Sequence, residues 1–184
     1  MKKILAFISI IAVVGMLASC GNDKATTEPK PKTCEQIEPC KTALQYTTYV
    51  EQGASDKAYE MENKDENLVS YDDEKEAKEH ILSDYKKYQG QQIKKYGLLE
   101  YEVIPNKKYV YKFRFKDFRN GDVKNFTVGV YKKGSKYLTN NYVNGAVKND
   151  IKHEGSIVPY KRYYSKGLSK TDKTTFGPQP VENY

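Results

Sequence analysis

Residues Tyr111–Asn141 read YKFRFKDFRNGDVKNFTVGVYKKGSKYLTNN, and the alternation in this stretch decides the fold. Tyr109, Tyr111, Phe113 and Phe115 recur at every second position, with Lys112, Arg114 and Lys116 between them and Val110 on their side. A period of two places successive side chains on opposite faces of a strand. Asn120-Gly121 then supplies a strong short-range hairpin signal. Val123–Lys132 returns, with Phe126, Val128 and Val130 alternating. Gly134-Ser135 marks a second turn, and Lys136–Tyr142 is a further strand. Upstream, Leu98–Ile104 is stopped by Pro105-Asn106. The expectation is a meander of four antiparallel strands.

Before Gly97 the period is helical. Lys41–Gln52 carries Ala43, Leu44, Tyr46, Tyr49 and Val50 on one side, with Gly53 as its stop. Ser55–Met61 starts like a short second helix, with Ser55 placed to cap it. Asn63–Ser70 reads as a loop. From Asp72 or Asp73 to Tyr88 the stripe Ala77, Ile81, Leu82, Tyr85, Tyr88 predicts one long helix with acids in its first turn. Gly90 bends or frays its end, Gln91–Tyr96 adds a last turn, and Gly97 ends it. Helices followed by strands predict an α+β fold, with N-terminal helices packed on one face of a curved antiparallel sheet of about four strands.

This order of elements, from Cys40 to Tyr142, resembles the small cystatin-like, nuclear-transport-factor-two-like lipoproteins of bacteria. Three stretches carry the likeness: EQGASDKAYEM (Glu51–Met61), EKEAKEHILSDYKKY (Glu74–Tyr88) and the two hairpins quoted above. The chain departs from the family in having Tyr137 where a Trp is usual, and in extending about 40 residues beyond the last clear strand. The resemblance implies a cone-shaped pocket between sheet and helices and, by analogy, pairing of exposed sheet faces into a homodimer.

The N-terminus gives an address. MKKILAFISIIAVVGMLASC (Met1–Cys20) has a basic start at Lys2 and Lys3, an apolar stretch too short to span a bilayer, and small residues before Cys20. It resembles the lipobox of bacterial lipoproteins, which implies acylation of Cys20 and cleavage before it. The competing reading is an ordinary signal peptide with a chance cysteine. Two or more acyl chains anchor a protein stably without a spanning helix. The expected location is the cell envelope, lipid-anchored to a membrane, which would be the outer one in a Gram-negative host. Removing residues 1–19 leaves 29 basic against 24 acidic side chains, a net +5.

Residues 20–33 read as the lipidated Cys20 and a flexible Pro-containing tether. Cys34 and Cys40 are the two remaining thiols, and pairing is expected in an oxidising compartment. Closing so short a loop stabilises by about 2–2.5 kcal/mol. Residues 34–142 then form the α+β domain, and 143–184 a C-terminal extension, partly disordered from Ser165 onward, with one short edge strand near Ile157–Tyr160.

Chemistry is sparse in the sequence. His80 and His153 are the only histidines and have no ligand spacing, so no metal is expected. There is no phosphate loop and no nucleophile motif, and so no catalytic residue or cofactor is expected. His80 and Asp84 share a helical face, which is read as a surface ion pair rather than an acid–base dyad. The 17 Tyr and 6 Phe fill a core or line a pocket. The contacts offered to a ligand or partner are Tyr85, Tyr109, Tyr111, Phe113, Lys161 and Arg162. The functional expectation is a membrane-anchored, non-enzymatic binding or interaction module for a protein or small ligand, with nucleic acid not expected. One alternative is an adhesion factor working through the basic extension, whose removal from Val143 onward would leave the body folded. The other is a pocket enzyme with His80 or a buried carboxylate in a cavity.

Overall fold

Alternation in the meander is realised as an open antiparallel sheet, seen in a computed structural model that describes residues 33–65, 69–141, 151–153 and 156–181. The signal segment 1–19, Cys20 and the tether up to residue 32 lie outside the described residues, as does Tyr142. The meander strands are β1 (Tyr96–Ile104), β2 (Lys108–Lys116), β3 (Val123–Lys133) and β4 (Lys136–Asn141). Gly134 adopts φ +59° in the two-residue turn between β3 and β4. The β2–β3 connection is wider than a tight Asn-Gly hairpin. The Asp117 carboxylate accepts the backbone N–H groups of Arg119 and Asn120, and Gly121 takes φ +75°.

A fifth strand completes the sheet. After a two-stranded hairpin, β5 (Lys152–His153) with β6 (Ser156–Ile157), the extension forms β7 (Tyr160–Tyr164). β7 pairs antiparallel with β1, giving the order β4-β3-β2-β1-β7. Its Tyr163 lies opposite Leu98 and its Arg162 opposite Leu99. β1, an edge strand in a four-stranded meander, is therefore an interior strand.

On one face lie the helices. A 3-10 turn, Cys34–Gln36, leads into α1 (Glu38–Gln52), with Pro39 early in its first turn and Gly53 at φ +81° as its C-cap. Cys34 and Cys40 are joined as expected and are fully buried. α1 packs on β2, β3 and β4. Between them lie Tyr46, Tyr96, Leu98, Tyr111, Phe113, Phe115, Val128 and Val130, all almost wholly buried. α2 (Ser55–Glu60) is capped from Ala54, and the Ser55 hydroxyl instead donates to the Ala77 carbonyl at 2.7 Å.

The long helix expected over Asp73–Tyr88 is broken into α3 (Glu74–Glu79) and α4 (Tyr85–Tyr88). Tertiary contacts override the periodicity here. The Leu82 N–H donates to the Gly53 carbonyl at 3.0 Å, and the Leu82 side chain fills the space a Cβ on Gly53 would occupy. Asp84 turns its carboxylate to Arg119, whose Nε and Nη2 donate to its two oxygens at 2.9 and 2.8 Å. The expected last turn over Gln91–Tyr96 is also absent. Residues 91–94 are irregular, and Tyr96 and Gly97 already belong to β1.

The opposite face is covered by the extension. Leu99, Tyr101 and Val110 are fully buried there against Ile151, with Val103, Ile157 and Val181 around them. Residues 165–181, expected to drape loosely from Ser165, are packed. The Tyr96 N–H donates to the Ser165 hydroxyl at 3.1 Å. α5 (Lys170–Thr175) is capped by Ser169, whose side chain accepts the Asp172 N–H. Arg114 Nε donates to the Thr175 carbonyl at 3.0 Å, Phe176 is 2% exposed, and the Val181 N–H donates to the Tyr101 hydroxyl at 3.1 Å. At least the β1 half of this face is therefore closed to the sheet pairing that the family resemblance implies.

Gly97 is where the last of these segments crosses β1. A Cβ there would overlap the carbonyl oxygen of Phe176 and press on Pro178. Gly97→Ala is expected to lift residues 176–181 from the sheet, at a cost of about 1–3 kcal/mol. Limited proteolysis checks this: new cleavage between Phe176 and Val181 is the expected result, and an unchanged digestion pattern refutes it.

Candidate functional site

A cleft of about 310 Å³ opens between α1, α2 and the segment Ser70–Leu82, with Phe126 of β3 at its inner side. That volume is at the lower end of small-molecule sites. The family resemblance implies a pocket between sheet and helices, whereas this cleft is lined mostly by α1, α2 and residues 70–82, with Phe126 alone from the sheet.

Beneath the cleft is Glu62, 2% exposed, in the turn after α2. Its Oε1 accepts the Tyr46 hydroxyl at 2.6 Å and the Ser70 hydroxyl, and its Oε2 accepts the Ser70 N–H at 2.8 Å. The turn holding it is fastened to β4. The Thr139 N–H donates to the Met61 carbonyl, and the Asn63 N–H to the Thr139 carbonyl, both at 2.8 Å. Burial, reinforced by the charge of Glu62 and its hydrogen bond, drives the Tyr46 phenol far above its ordinary pKa. At the mouth, the Tyr71 and His80 rings lie 5.0 Å apart, and His80 Nδ1 is 2.9 Å from the Glu76 carbonyl oxygen. Val50 and Leu82 add exposed apolar edges.

His80 thus reaches a cavity, but Asp84 is not its partner. Asp84 pairs with Arg119, and that bond first, with the guanidinium charge adding to it, holds its carboxyl below the usual range. The His80–Asp84 dyad is not formed. Among the described residues no group of His, Cys, Asp or Glu is arranged to hold a metal ion, and no helix is long and apolar enough to cross a membrane.

The sequence-derived contacts scatter. Tyr111 and Phe113 are fully buried and Tyr109 is 7% exposed, so these three are core packing and not surface for a ligand. Their face of β2 points at α1, which covers it. Tyr85 is half-buried on α4, with the Lys57 ammonium 5.7 Å from its ring. Lys161 and Arg162 are exposed on the edge strand β7, away from the cleft. Lys161 Nζ is 3.7 Å from Glu100, and the Arg162 guanidinium sits 5.8 Å from the Tyr160 ring. The sequence reading missed Glu62 and Ser70. Both fall at the edges of a segment read as loop, where no periodicity marks a side chain as inward.

A second carboxylate on the helix side, Glu100, is 4% exposed. It accepts the Tyr111 hydroxyl at 3.0 Å and the Tyr163 hydroxyl at 3.4 Å. Burial, then Glu100, pushes Tyr163 up to about 12, and burial with Glu102 pushes Tyr109 up to about 12. A phenol raised in the folded state contributes stability that is complete below its unfolded pKa, about 10, and lost as pH climbs through the folded value. Unfolding is therefore expected between about pH 10 and about pH 12. Tyrosinate absorbance and far-ultraviolet circular dichroism should change together there. Titration of all tyrosines near their free value, with the fold intact, refutes this.

Against known proteins, the chain matches no protein-family model, no curated sequence and no solved structure.

Proposed function

We propose that this chain is a lipid-anchored protein of the cell envelope, held by acylated Cys20, which acts as a non-enzymatic module and binds a small ligand in the cleft above Glu62. One observation carries the binding reading. The cleft's polar groups are already locked in internal hydrogen bonds, Tyr46 and Ser70 to Glu62 and Ser55 to Ala77. Such a surface is preorganised for recognition.

The lipobox resemblance of Leu17-Ala18-Ser19-Cys20 supports the anchor. Helices on one face of an antiparallel sheet support kinship with the cystatin-like, nuclear-transport-factor-two-like lipoproteins. The covered second face distinguishes this chain from that pattern.

Two measurements test the proposal. Metabolic labelling with a palmitate analogue should mark the wild-type protein and not Cys20→Ser, and labelling of both removes the anchor. A magnetic-resonance screen of cationic, neutral and anionic fragments against the full chain should move Tyr71, His80 and Leu82. A screen in which no fragment moves them removes the binding site.

A further inference from the structure

The cleft's hydroxyls have a common polarity. A carboxylate or a carbonyl can only accept, so each hydroxyl bonded to one must donate its single proton to it. The Tyr46 and Ser70 protons go to Glu62, and the Ser55 proton goes to the Ala77 carbonyl. All three residues line the cleft, and their hydroxyls have only oxygen lone pairs left to offer a ligand. His80 adds to this. Its Nδ1 bonds the Glu76 carbonyl and so carries the proton, which leaves the lone pair of the neutral ring on Nε2.

The charge under this surface is negative. Glu62 is 2% exposed, and among the described residues no Lys or Arg nitrogen forms an ion pair with it. Lys64 acts on it only from a distance. Its ammonium donates to the Tyr59 carbonyl and lies 3.1 Å from the centre of the Tyr59 ring. A buried carboxylate with no cation in contact is costly to keep. Four of the lining residues are aromatic, Tyr46, Tyr71, His80 and Phe126, beside the aliphatic Val50, Ala58 and Leu82. Aromatic rings beside a negative charge are the combination that recognises ammonium groups.

We infer that the cleft selects a small organic cation, a primary or quaternary ammonium whose head lies among Tyr46, Ser70 and Tyr71 above the buried carboxylate of Glu62. This rests on the binding reading given above. Anionic ligands are rejected by the carboxylate, and neutral ones lack its attraction.

The test is a chemical-shift titration of the full chain with choline, and with its carbon isostere in which a quaternary carbon replaces the nitrogen. Choline should move Tyr71, His80 and Leu82 and bind about tenfold tighter than the isostere, the scale of a desolvated cation–aromatic contact. Glu62→Gln should erase that preference. Its amide N–H would donate to one of the hydroxyls, turning that hydroxyl's proton toward the cleft. Should this variant fail to fold, Tyr71→Ala serves instead. Tyr71 is half-buried at the mouth, and its loss should weaken choline several-fold and the isostere less. Equal affinity for the two probes in the wild type, or choline shifts confined to other surfaces, overturns the inference while leaving a binding cleft in place. A cleft that neither these probes nor any fragment of the screen enters overturns both.

Discussion

A chain that stops after Asn141 is expected not to fold. Such a truncation keeps all three helix-side contact strands of the meander, and the adhesion-factor alternative expects the body to stay folded when the chain from Val143 onward is removed. The structure gives the opposite expectation. Leu99, Tyr101 and Val110 are fully buried on the face opposite the helices, and their cover comes from Ile151, Ile157 and Val181. Exposing three such side chains costs about 1.5–3 kcal/mol each, which is comparable to the whole stability of a domain, about 5–15 kcal/mol. The truncation also removes β7, and so unpairs one side of β1 from Gly97 to Tyr101. An apolar, unpaired edge is prone to aggregate. The expected outcome is insoluble protein, or protein without a cooperative urea transition. A chain ending at Val181 should unfold like the full length. A sharp transition of normal midpoint in the shorter chain would show that the extension is an appendage after all.

That contrast shows what the sequence could disclose. Strands β2, β3 and β4 begin and end within a residue or two of the places that alternation and the flanking turn residues predict. β1 breaks the rule with Leu98-Leu99, adjacent apolar residues that point to opposite faces. Apolar residues on both faces mark a strand covered on both sides, and that was the legible sign of a second layer. Its source was not legible. Residues 165–181 are polar and turn-rich, and few side chains, chiefly Phe176, Pro178 and Val181, tie them down. The long helix failed for a related reason. Propensity and stripe favour it, but one hydrogen bond from Leu82 to Gly53 and one ion pair from Asp84 to Arg119 hold the chain in a different path. Each is a contact between residues about 30 positions apart, to which a window of local periodicity is blind. Glu62 was hidden likewise, since its partners Tyr46 and Ser70 lie on separate elements.

Glu62→Ala is expected to destabilise the protein by about 2–4 kcal/mol, the cost of stranding its neutral donors and opening a cavity, offset in part by relief of a buried charge. The loss has two parts. The Tyr46 hydroxyl, on a side chain 1% exposed, and the Ser70 N–H both lose their acceptor, at about 1–3 kcal/mol for each buried group left unpaired. A cavity beneath the cleft adds to it. Tyr46→Phe alone should cost less, about 1–2 kcal/mol, because Glu62 keeps both bonds from Ser70. The informative variant is the pair Tyr46→Phe with Glu62→Leu, which replaces the buried bond by apolar contact of similar volume. Replacing both partners is often neutral. Urea unfolding of Tyr46→Phe, Glu62→Leu and the pair gives the coupling energy directly. If the pair recovers most of the loss seen in Glu62→Leu, the fold does not need a charge at this position. The carboxylate under the cleft is then explained by what the cleft binds. If the pair is as unstable as the sum of its parts, Glu62 is required to hold the turn from Met61 to Ser70 against β4, and its charge is structural.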